Sequence, residues 1–127
     1  MKKNLLGVLV SKSGEMHPVS IHDDLDNFYD ILECNCIDIV VRKIGGAEYD
    51  IVCDDEGLLK GEPVFTAVDK KYQPALVGNL FICKSDLESG ELVSLTEDEM
   101  LAVMKHRIQA ISFNSDSMFR DVLVLDE

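Results

Sequence analysis

Two adjacent glycines, Gly45-Gly46, separate two strand-length runs, Cys36 to Ile44 and Ala47 to Cys53, and this pair constrains the fold more than any other feature. A two-residue hairpin turn that follows the natural twist of strands needs positive φ at both central positions, which glycine adopts without strain. The first flank alternates, with Ile37, Ile39 and Val41 on one face, which is the period of a strand. The chain is therefore expected to double back here as an antiparallel hairpin. Because a strand follows the glycines, they lack the strand, loop and helix context of a dinucleotide site.

A second hairpin is expected near the start. Residues 4–10 read as a strand, Ser11-Lys12-Ser13-Gly14 is turn chemistry, and Met16 to Ile21 returns, with Pro18 marking an edge. Asp23 or Asp24 then caps a helix whose stripe is Leu25, Phe28, Tyr29 and Leu32. A second helix starts at Thr96-Glu97-Asp98-Glu99, a capping box, with Met100, Leu101, Met104 and Ile108 as its stripe. Lys105, His106 and Arg107 gather at its C-terminal end, where positive charge is favoured. Between the helices, Leu58 to Ala67 reads as irregular, Leu76 to Lys84 as one strand interrupted at Gly78, and Glu91 to Leu95 as a short strand. Hairpins with helices inserted between them predict an α+β fold: a mainly antiparallel sheet with two helices packed on it.

The 127 residues fit one domain, 1–127, and an apolar fraction of 46% supplies a core without metal or disulfide. Residues 108–127 read as an extension. In it Ile111 and Phe113 continue a strand, Asn114 to Ser117 is loop-like, and Val122 to Leu125 pairs with the sheet edge or with another copy of the chain. No stretch reaches the roughly 20 apolar residues of a spanning helix, and the short run behind Lys2-Lys3 does not make a signal peptide. The protein is expected to stay where it is made, with no membrane partner.

The formal charge is −12, from 24 acidic and 12 basic side chains. Such a surface repels phosphate backbones, so no direct nucleic-acid binding is expected. Two readings of the acidity stand: a solubility device, or mimicry of nucleic-acid charge that occupies a basic groove on another protein.

Catalytic signatures are absent. There is no phosphate loop, no H-E-x-x-H and no G-x-S-x-G. Cys34 and Cys36 form a single C-x-C pair, and His17, His22 and His106 do not complete a zinc pattern. Asp54-Asp55-Glu56-Gly57 lacks the alternating ligands of a calcium loop and reads as a solvated turn. Cys53, beside two aspartates, is a poor nucleophile, because negative charge disfavours the thiolate. Neither a cofactor nor a metal is expected. Asn79, polar within an apolar run, serves as a turn or cap, or faces a pocket.

Three segments follow one another in order: Gly45-Gly46 with Tyr49 to Lys60, Leu76 to Ile82, and Ser94 to Glu99. With the opening hairpin at Gly14 and Pro18, they resemble domain of unknown function 3846, a family of small proteins and modules carried by phages and other mobile elements of bacteria. The resemblance spans roughly residues 4–105. It implies a mobile-element origin and a cytoplasmic setting in the bacterial host cell, and it brings no catalytic residues.

Three functions compete. The first is a non-enzymatic binding module that occupies a host protein, such as a defence component. The second is a binder of a small molecule or nucleotide signal, for which Asn79, Phe81, Arg42, Lys84 and Arg107 are the candidate contacts. The third, held lowest, is an enzyme, which would require a cleft holding Asp38, Cys53 or His106 beside a second polar group.

Overall fold

The computed structural model describes residues 3–56, 64–111 and 119–126. The first hairpin joins β1 (Asn4–Val10) to β2 (Met16–His22), and α1 (Leu25–Leu32) follows. The second hairpin joins β3 (Ile37–Ile44) to β4 (Ala47–Asp54). Gly45 and Gly46 turn it with φ of +60° and +86°, as their spacing requires. Then come β5 (Phe65–Val68), β6 (Pro74–Val77), β7 (Leu80–Ser85), β8 (Leu92–Val93), α2 (Glu97–Lys105), β9 (Arg107–Ile111) and β10 (Phe119–Val124).

The strands make two sheets. The larger runs β2-β1-β7-β4-β3 with β8 beside β7, and every pairing in it is antiparallel. The smaller runs β6-β5-β10-β9, in which β10 lies parallel to β5. The fold is α+β with mainly antiparallel sheets, as the hairpin pattern predicts.

Both faces of the larger sheet are covered, so its central strands are apolar on both sides. On one face Val8, Ile51, Ile82 and Leu80 pack with Met100 and Val103 of α2 and with Ala67, Leu123 and Leu125 from the smaller sheet. On the other, Leu5, Val52, Phe81 and Cys83 pack beneath Phe28 and Leu32 of α1. Gly7 lies where β1 begins to run beside β7: a Cβ there would sit 2.3 Å from the Ile82 carbonyl oxygen.

Local caps match the sequence. The Asp24 side chain accepts the Asn27 amide at the start of α1, and Thr96 and Glu99 close a reciprocal capping box on α2. Pro18 lies on edge strand β2.

Several expectations are corrected. The run Leu76 to Lys84 is not one strand: Val77 ends β6 in the smaller sheet, Gly78 turns with φ of +74°, and Leu80 starts β7 in the larger. Phe65–Val68, read as irregular, is a strand with register shifts against β6; residues 57–63, including Gly57, lie outside the described residues. In α2 the buried positions are Met100 and Val103; Leu101 is exposed, and Ile108 belongs to β9. In α1, Leu25 is exposed. Of the two readings of Val122 to Leu125, the structure has the one within the chain, as β10 pairs with β9 and β5, while Phe113 and Asn114 to Ser117 lie outside the described residues.

The larger sheet thus ends at β3 and the smaller at β6. β6 packs against β4, next to β3, and the site described next lies between them.

Candidate functional site

Because the chain crosses between sheets at Gly78-Asn79, β6 comes to lie alongside the β3–β4 hairpin. Between them is an open cleft of about 330 Å³. Asp38 and Val40 of β3, with Cys53, Asp54 and Asp55 at the end of β4, form one wall. Phe65 of β5 and Pro74 to Val77 of β6 form the other. Alternation along β3 puts Asp38 and Val40 on the cleft side, because Ile37, Ile39 and Val41 point to the opposite face. Opposite Asp38 in register stands Cys53.

The polar groups are held by local bonds. The Asp38 carboxylate accepts the Ile39 amide at 2.9 Å, and its carbonyl oxygen accepts the Cys53 thiol at 3.6 Å. The Asp54 carboxylate accepts the Glu56 amide at 2.9 Å, and the Asp55 amide donates to the Cys36 carbonyl at 3.1 Å. Burial, and then the neighbouring Asp38 charge, push the Cys53 thiol up to about 11. It stays protonated near neutrality and is a weak hydrogen-bond donor rather than a nucleophile.

The chemistry of this cleft is one-sided. Its titratable groups are three carboxylates and a protonated thiol, and its opposite wall is apolar, with Phe65 40% exposed. It suits a cation carried on an apolar stem. Among the described residues, no three His, Cys, Asp or Glu side chains gather at metal-binding spacing.

The five contacts named from sequence do not converge. Asn79 is 5% exposed, and its amide is engaged by the protein itself. Its Oδ1 accepts the Lys12 amide at 2.8 Å, and its Nδ2 donates to the Ile31 carbonyl and to Glu33 Oε2, both at 3.0 Å. It ties the β1–β2 turn to the end of α1, the structural alternative that its position left open. Phe81 is buried against Phe28, edge to face at 5.9 Å, on the α1 side of the sheet. Arg42 and Lys84 lie on the other side, flanking Tyr49: Arg42 stands opposite it in register, and Lys84 Nζ sits 5.1 Å above its ring. Lys84 is also paired with Glu99 at 2.6 Å, a bond that raises the lysine and, together with Thr96, holds the carboxyl low. Arg107 is on β9 in the smaller sheet, paired with Asp121 at 3.4 Å.

His106 is far from any such role. Its Nδ1 lies 2.8 Å from the Ala102 carbonyl, and its ring packs where a side chain on Gly45 would project. The cleft residues were individually visible in sequence, Asp54-Asp55 as a turn and Cys53 as a strand end. Their apolar partner wall was not, because no sequence signal pairs β6 with β3 across two sheets.

A family model for a domain of unknown function (DUF3846) matches residues 2–108. The chain belongs to this family. The DUF3846 match contains both hairpins of the larger sheet, the complete cleft and α2, and it ends inside β9. The strand that completes the smaller sheet, β10, lies beyond it. No curated protein and no solved structure matches the chain. Among the described residues, no helix is long and apolar enough to cross a membrane.

Proposed function

We propose that this DUF3846 protein is a non-enzymatic binding module whose acidic, apolar-walled cleft takes a basic segment of a protein partner. The observation that carries this reading is the cleft between β3 and β6, where Asp38, Asp54 and Asp55 face Phe65, Leu76 and Val77. A lysine or arginine side chain has that composition: an apolar stem and a charged head. A carboxylate-lined site favours it, and the net charge of −12 draws basic partners from a distance. The resemblance to mobile-element proteins extends the proposal to a phage or mobile-element accessory role, with a protein of the bacterial host as partner and the cytoplasm as setting.

Whole-surface mimicry of nucleic acid is the weaker form of this idea. Acidic residues sit on α1 on one face of the larger sheet and on α2 on the other, so the charge is not gathered on one side. A nucleotide ligand fits less well still, since a phosphate entering the cleft meets carboxylates. An enzyme reading gains the cleft it required, with Asp38 and Cys53 side by side, yet the protonated thiol offers no nucleophile at neutral pH.

The test is affinity purification of tagged protein from the host cell, in parallel with the Asp38→Asn/Asp55→Asn variant. The reading predicts a basic protein that co-purifies with the wild type, is released by salt, and is lost from the variant. Equal recovery by both proteins would count against the cleft.

A further inference from the structure

We propose that two copies of this chain pair through the outer edge of β3, which has no strand beside it among the described residues, antiparallel about a twofold axis at Val40. The two-residue turn makes Ile44 and Ala47 a hydrogen-bonded pair, so the even-numbered residues of β3 bond to β4. The odd-numbered residues therefore point their N–H and C=O groups outward, on a strand of 8 residues at the end of its sheet. The bonds these groups do make agree with this: the Ile39 amide donates to its neighbour's Asp38 carboxylate, the Val41 carbonyl accepts the Arg42 guanidinium, and the Lys43 carbonyl accepts the Asp126 amide, which leaves Ile37 to Val41 as the part of the edge open to a second strand. Such an edge is a ready template for another strand.

The sequence of the edge is complementary to itself in one register. Centring two antiparallel copies on Val40 sets Ile39 opposite Val41 of the second copy, and Asp38 opposite Arg42 of the second copy. Symmetry repeats both pairs. Ile39 and Val41 are outward-bonding residues, so each such pair exchanges two backbone hydrogen bonds. Their side chains are 45% and 51% exposed in the single chain, and they cover each other in the pair. Asp38 and Arg42 are both exposed, and they meet at the closely spaced non-hydrogen-bonded positions. Sliding the axis to Ile39 or Val41 sets Asp38 and Arg42 each against Val40, Ile44 or Cys36, while Lys43 faces an uncharged residue in all three registers. The second copy is therefore the occupant that the charge pattern selects, and the two large sheets join into one.

This interface does not rest on the function proposed above: Asp38 also lines the cleft, but Arg42 lies outside it, so Arg42→Asp tests the interface without altering a cleft residue. The experiment is sedimentation velocity from micromolar to sub-millimolar protein on the wild type, Asp38→Arg, Arg42→Asp and an equimolar mixture of the two variants, with circular dichroism as the check on folding. A dimer is expected for the wild type, weakened by about tenfold or more in each variant alone, where like charges face each other. The mixture is expected to recover a heterodimer. In it the arginine introduced at position 38 of one chain faces the aspartate introduced at position 42 of the other, and the native Arg42 of the first faces the native Asp38 of the second. A merely structural role for either residue would not give recovery in the mixture. A wild type that is monomeric throughout, single variants that dimerise like the wild type, or a mixture that stays monomeric would each overturn the proposal.

Discussion

The carboxylate of Asp126 accepts the backbone amide of Gly46 at 2.7 Å, and its other oxygen takes the amide of Gly45 at 2.9 Å. The hairpin turn thus presents two converging N–H groups, and the end of the chain supplies the anion that fills them. The Asp126 amide also donates to the Lys43 carbonyl, so the tail is stitched to the turn from both sides.

These bonds, that from Gly46 first, hold the Asp126 carboxyl below its ordinary value. A depressed folded value means that its contribution is present above the unfolded value and lost as pH falls through the folded one. Asp126→Asn is expected to lower stability near neutrality by about 1 kcal/mol, a low figure for charge-assisted bonds because the site is open to water. Urea midpoints measured from pH 7 down to pH 3 should show the two proteins converging in acid.

Asn79→Ala should cost about 1–3 kcal/mol, since it strands the Lys12 amide and the Ile31 carbonyl at a partly buried junction. Chemical denaturation reads this directly. A residue whose role was ligand contact alone would leave the midpoint where it was.

Gly7→Ala places a methyl group 2.3 Å from the Ile82 carbonyl oxygen and 2.7 Å from the Phe81 ring. Backbone cannot retreat as a flexible side chain does. The substitution should destabilise by about 3 kcal/mol or more, at the upper end of overpacking costs, and should show as a lowered thermal midpoint.

Thiol titration of the native protein should find one accessible cysteine. Cys36 is exposed, whereas Cys34, Cys53 and Cys83 are buried. Burial pushes Cys83 up to about 12, and Cys53 is similarly protected. Cys36 is itself raised by the Glu56 side chain and the nearby aspartates, so its reaction should be slow at neutral pH and accelerate with pH. In denaturant all four should react at similar rates.

Features set by neighbours in the chain were legible in the sequence. The Gly45-Gly46 turn, the Thr96 capping box and the Asp24 cap each depend on residues a few positions apart. Features set by distant pairing were not. Leu76 to Lys84 carries one apolar pattern, yet Gly78 sends its halves into different sheets. Ile39 and Val41 have the alternation of a covered strand face, but β3 is an edge and leaves them exposed. Val103 replaces Leu101 in the buried face of α2, because the neighbouring sheet chooses which side of a short helix is covered. The cleft is the extreme case, with one wall from each sheet.

The most direct test of that cleft is a backbone amide chemical-shift titration with a short capped Arg-Leu-Arg peptide, run beside ATP. Saturable shifts are predicted at Asp38, Cys53, Asp55, Leu76 and Val77 with the peptide, weakened by salt and by Asp38→Asn/Asp55→Asn, and none there with ATP. Peptide shifts that miss these residues, or ATP shifts gathered around Arg42 and Lys84, would contradict the account.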